Sequence, residues 1–146
     1  AVKAKQRGGM NISEQSRGGV IAILVAAKLK EMTCDCRGPI QIQFMGWYDA
    51  VDRYLWGNGE VISDNVEHVA HARRDPRVQS RQTFGNTGTS GGKDYAEQMF
   101  WVTHSVAGGD PWGGDHPKNF GIPTITKWQD QTGSKKVDTW IRDHFH

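Results

Sequence analysis

The chain has 146 residues, 36% hydrophobic and 23% charged, and its 18 Lys and Arg against 16 Asp and Glu give a formal charge of +2. This is the size of one ordinary domain, and the near-balance of charge argues against a dedicated nucleic-acid binder and against an acidic mimic. A mean hydropathy of −0.64 and the lack of any apolar run of about 18 residues exclude a membrane-spanning helix.

Residues 1–15, basic and polar with Arg7-Gly8-Gly9 among them, read as a loose N-terminal arm ahead of a single domain over 16–146. A helix is predicted from Ser16 to Met32, with Ser13 or Ser16 as its N-cap. Pro39 to Phe44, where Ile40 and Ile42 alternate with Gln41 and Gln43, reads as a short strand. Trp47, Tyr48, Val51, Tyr54 and Leu55 then recur at helical spacing and stop at Gly57-Asn58-Gly59. Ser63 is expected to cap a short helix carrying Val66, Val69 and Ala70, and Asp75 to Lys93 reads as a long polar loop. Asp94 is expected to cap a helix over Tyr95 to Val106. Gly108 to Lys118 is again loop, Phe120 to Trp128 is extended, and Ser134 to Phe145 closes the chain as a helix. The sum is a mostly helical α+β domain with one small sheet and long loops.

Among polar residues Glu31 is the most informative. Ala27, Leu24 and Val20 precede it by four, seven and eleven residues, which places it on an apolar helical stripe. Partial burial near the negative end of the helix dipole raises a carboxyl pKa, the condition a glutamic acid needs to protonate a glycosidic oxygen. Other features are weaker. Cys34 and Cys36 are too few for a disulfide scaffold and too close to pair without strain, so they read as reduced thiols. His68 and His71, three apart on a predicted helix, could share a metal, but a solvated helix face is the plainer reading. His104, followed by Ser105, has no evident acid partner for a catalytic triad. Gly85 to Lys93 fails the phosphate-loop pattern, and the arginines from Arg73 to Arg81 read as a solvated loop.

The order of segments adds a resemblance. Ala26 to Thr33 followed by Arg37-Gly38-Pro39-Ile40-Gln41-Ile42 resembles the family 19 chitinases, where a helix ends in a catalytic glutamate and a later strand reads Gly-Arg-Gly-Pro-Ile-Gln-Leu. Asn65 to Ala70, Phe100 to Thr103 and Phe120 to Ile125 are similar to later segments of that family in the same order. The resemblance implies a lysozyme-like fold and a glycoside hydrolase acting on a polymer that contains N-acetylglucosamine, chitin or peptidoglycan. It implies Glu31 as general acid. The family's second glutamate has no counterpart, and Asp35 is the only carboxylate between helix and strand. Gln41, Gln43, Trp47, Tyr48 and Thr124 would line the cleft, and Lys136 would match a basic residue of the closing helix. No cofactor or metal is implied. With no cleavage site after Val20 to Ala27, the expectation is a lysin made in the cytoplasm. Two other readings stand beside it: a non-catalytic relative binding glycan or protein, and an accessory nucleic-acid binder using Arg73 to Arg81.

Overall fold

A computed structural model describes residues 9–34, 38–52, 61–80, 85–110 and 125–145. In chain order they form β1 (Met10–Gln15), α1 (Gly18–Glu31), β2 (Thr33–Cys34), β3 (Gly38–Pro39), β4 (Ile42–Tyr48), β5 (Val51–Asp52), β6 (Val61–Ile62) and β7 (Val66–Arg74). A 3-10 turn (Pro76–Val78) follows, then β8 (Gly85–Asn86), β9 (Ser90–Gly91), β10 (Asp94–Phe100), α2 (His104–Ala107) and α3 (Lys127–Asp143). The long strands make one sheet in the order β1-β4-β7-β10, parallel at every pairing. The remaining short strands form three two-stranded pairs around it.

The molecule is therefore an α/β protein with helices on both faces of a parallel sheet, not the mostly helical, lysozyme-like α+β domain expected from the sequence. A central parallel strand buries both faces, so its side chains read as a continuous apolar run rather than an alternation. β7 is such a strand: the segment expected to form a helix at Val66, Val69 and Ala70 pairs instead with β4 and β10. β10 likewise replaces the first half of the helix expected over Tyr95 to Val106, leaving only α2 helical. Of the helix expected from Trp47, the described part is strand, the end of β4 and then β5.

One core lies under α1, where Ala22, Ile23 and Ala26 pack on Met45, Trp47 and Val69. The other lies under α3, where Val137 and Ile141 meet Phe44, Ala72, Phe100 and Val106. α1 presents Gly19, Ala22, Ile23 and Ala26 to the sheet, a spacing of three, four and seven along one face. Leu24 and Ala27, two of the three apolar residues of the expected stripe, are instead exposed, Leu24 at 53%. The helix is apolar almost all round, so its sequence does not single out the buried side. The small residues win because they allow close approach: a Cβ on Gly19 would lie 2.4 Å from the Ala50 Cβ.

α3 starts seven residues earlier than expected. Thr126 and Gln129 form a reciprocal capping box ahead of it. Gly133, which reads as a break in sequence, lies inside the helix because a Cβ there would sit 2.2 Å from Val102 Cγ1. One turn earlier, Asp130 is 2% exposed and accepts from both the Thr103 N–H (2.8 Å) and the Thr103 hydroxyl (2.9 Å). It thereby ties the start of α2 to α3. Asp130→Ala would leave a buried backbone N–H unsatisfied, and should lower the unfolding free energy in urea by about 2 kcal/mol. Asp130→Asn, which keeps one acceptor oxygen, should lose less.

Candidate functional site

Side chains converge at the carboxyl-terminal edge of the sheet, the edge at which open parallel sheets bind ligands. The residue after β1 is Ser16, the residue after β4 is Asp49, and β10 leads through Trp101 and Val102 to α2 and His104. His104 Nε2 lies 2.8 Å from Ser16 Oγ, and His104 Nδ1 lies 2.6 Å from Asp49 Oδ2. Asp49 is 0% exposed and His104 6%.

The turn carrying Ser16 is sharp and held at several points. Ser16 adopts a left-handed backbone, φ 57°, a conformation that is uncommon outside glycine and found enriched at functional sites. Its N–H donates to the Tyr48 carbonyl (3.2 Å), and its own carbonyl accepts from Gly19 (3.2 Å) and Val51 (3.0 Å). These bonds leave the backbone no relaxed alternative and aim the side chain past the strand end. α1 begins immediately after Arg17, its N-terminus capped by no side chain and with no acid in its first turn.

Asp49 also has a left-handed backbone, φ 52°, and its N–H donates to the Ala72 carbonyl at 2.7 Å. Burial pushes its carboxyl pKa up, but the His104 hydrogen bond and the Arg74 charge outweigh it and hold the pKa below the ordinary value. Arg74, the last residue of β7, donates its N–H to Asp49 Oδ1 (3.1 Å) and its guanidinium to Oδ2. Arg74 Nε donates to the Ser80 carbonyl (2.7 Å), while the Ser80 hydroxyl accepts the His104 N–H (3.0 Å). Gln15 adds a brace by donating to the carbonyls of His104 and Ser105.

Beneath this edge lies His71, 0% exposed, with its ring edge-on to Trp47 at 5.3 Å. Its Nε2 accepts the Ala50 N–H (3.1 Å) and its Nδ1 faces the Gly88 carbonyl (3.3 Å), which fixes the neutral tautomer protonated at Nδ1.

The residues singled out in the sequence for glycan cleavage are not gathered. Glu31 ends α1, which starts beside Ser16, so the two are separated by about 20 Å of helix. Its side chain is 69% exposed and ion-paired with Lys28 at 2.9 Å. That hydrogen bond and charge lower its pKa, the opposite of the rise expected from an apolar face. Gln41 is exposed and folds back to the Pro39 carbonyl. Gln43 is exposed on β4, Trp47 is wholly buried in the core under α1, and Tyr48 packs half-buried toward α3. Lys136 lines a separate groove of about 580 Å³ between β10 and α3. Asp35 and Thr124 lie outside the described residues.

Other expectations change as well. His68 and His71 are three apart on a strand, not a helix, so they face opposite sides; His68 pairs with Asp94 at the surface. Arg73 is paired with Glu97, Arg74 with Asp49 and Arg77 with Asp75. The described arginines of that stretch are therefore spent on internal ion pairs, and Arg81 lies outside the described residues. Ser105 is not the partner of His104, because Ser16 occupies that place. One signal marked it: Glu14-Gln15-Ser16-Arg17-Gly18 matches the strand–turn–helix pattern G-x-S-x-G except that Glu14 stands at the first glycine.

The chain matches no family model, no curated protein and no solved structure.

Burial, then the Arg73 charge, lowers the His71 pKa from 6.5 to about 4, against an opposing pull from Asp49. Between those values the unfolded chain binds the extra proton and the folded chain does not. The stability His71 contributes is thus complete above pH 6.5 and lost as pH falls toward 4, a change of about 3 kcal/mol. Urea unfolding across that range should show this slope, and His71→Gln should flatten it; an unchanged slope would remove His71 as its source.

Proposed function

We propose that this chain is a serine hydrolase working by acyl transfer, with Ser16 as nucleophile, His104 as general base and Asp49 as the carboxylate that orients and supports the imidazole. The observation that carries this reading is the unbroken pair of short contacts from Ser16 Oγ to His104 Nε2 and from His104 Nδ1 to Asp49 Oδ2. A serine hydroxyl is a weak nucleophile on its own, and the base and the buried carboxylate are what activate it.

In this mechanism Ser16 Oγ attacks the carbonyl carbon of an ester or amide as its proton passes to His104 Nε2. Asp49 stabilises the imidazolium so formed. The carbonyl oxygen takes up negative charge, and the N–H groups of Arg17, the residue before α1, and Gly18, its first residue, would receive it with the positive end of the helix dipole. His104 then returns the proton to the leaving group, freeing it and leaving an acyl ester on Ser16. Water, deprotonated by the same imidazole, attacks that ester, and the carboxylic acid leaves as Ser16 regains its proton. The chain order Ser…Asp…His and the position of the serine at a turn between a strand and a helix are also those of α/β-hydrolases, and this likeness of arrangement supports the same chemistry. Glycoside cleavage needs a carboxylic acid kept protonated, and the exposed, ion-paired Glu31 offers none.

Covalent labelling by a fluorophosphonate probe, with hydrolysis of a p-nitrophenyl ester beside it, is the direct test. Wild type should be labelled at Ser16 and turn the ester over. Ser16→Ala should lose both with an unchanged thermal melt, and Asp49→Asn should lower turnover by about 10³-fold or more. Labelling that persists in Ser16→Ala, or maps to another residue, would end the assignment.

A further inference from the structure

We infer that Arg74 is a positioning residue of this site whose fixed positive charge, acting through Asp49, sets the pH range in which His104 can take the serine proton. The inference rests on the hydrolase reading and adds to it a determinant of the pH range in which the site works.

Asp49 Oδ2 is shared between His104 Nδ1 and the Arg74 guanidinium, and Oδ1 accepts the Arg74 N–H. A buried carboxylate beside an imidazole, left alone, favours the imidazolium, which cannot act as a base. A guanidinium on the same oxygen opposes that effect, and it remains charged at any working pH. The side chains of Arg74 and Asp49 are 8% and 0% exposed, so water screens this pairing little.

The arrangement also separates charge from position. Arg74 Nε holds the Ser80 carbonyl and the Ser80 hydroxyl holds the His104 backbone, which closes a circuit from Asp49 through Arg74 and Ser80 to His104 and back. Ser80 contributes position without charge, whereas Arg74 contributes both. Among the described residues, the charged and titratable side chains at this edge include Asp49 after β4, Arg74 and His71 on β7, and Glu14 near the end of β1, whose carboxylate lies beside Gly18. Burial keeps the His71 pKa down at about 4, and Asp75, next to Arg74 in the chain, is paired with Arg77.

The rate of fluorophosphonate labelling, followed from acid to mildly basic pH, is the measurement. In Arg74→Gln the midpoint of the acid limb should move up by about one pH unit. In Arg74→Lys the charge stays, so the midpoint should hold while the plateau rate falls roughly tenfold to hundredfold from lost geometry. Ser80→Ala should likewise lower the plateau and leave the midpoint in place. A midpoint in Arg74→Gln equal to that of wild type overturns the inference while the hydrolase reading stands. If Arg74→Gln fails to fold, Arg74→Lys decides, and a shifted midpoint there overturns it. A wild-type chain that is never labelled removes the hydrolase reading, and this inference with it.

Discussion

A carboxylate with no exposed surface imposes conditions on everything around it, and Asp49 is that carboxylate. Leaving such a group charged in the interior is unfavourable unless hydrogen bonds and an opposite charge match it. The matching groups come from β7, as Arg74, and from α2, as His104. Its backbone is fixed in turn by Ala72 and, one residue on, by His71. The ends of β4 and β7 therefore meet α2 at one edge of the sheet through a single ionised side chain. The left-handed backbones at Ser16 and Asp49 are local strain that this network over-determines.

The sequence made some of this legible and hid the rest for definable reasons. α1 could be read almost to its ends, because fourteen residues without proline and rich in alanine and leucine leave little else to form. α3 was legible as a helix but not in its start, since Gly133 looks like a terminator until Val102 is placed against it. The strands were the failure. Val66, Val69 and Ala70 fit a helical stripe and a doubly buried strand equally well, and only the pairing partners β4 and β10 distinguish them. The parallel class of the sheet, and with it the fold, depended on that distinction.

The site was less legible than the fold, because its three parts are far apart in the chain and each looks ordinary alone. Ser16 reads as a helix cap, which is where a serine before a helix is usually found; here Arg17 takes the cap position and the Ser16 hydroxyl goes to His104. Asp49 fell within a segment that reads as a helix, and the positive φ that turns it inward leaves no mark in composition. His104 drew attention as a triad candidate, but its neighbour Ser105 was the serine in view. Glu31 illustrates the converse: a helix apolar on nearly every side offers more than one stripe, and the chosen one faces solvent.

The bond between Asp130 and Thr103 gives the order of synthesis a bearing on reactivity. The serine and the aspartate belong to segments made before the helix that fixes the start of α2. Until α3 docks, Thr103 lacks the acceptor that sets the His104 turn. On the hydrolase reading, the nascent chain carries its hydroxyl and its carboxylate without a seated base between them. On that reading, packing of α3 over the sheet adds the last of the contacts that seat His104.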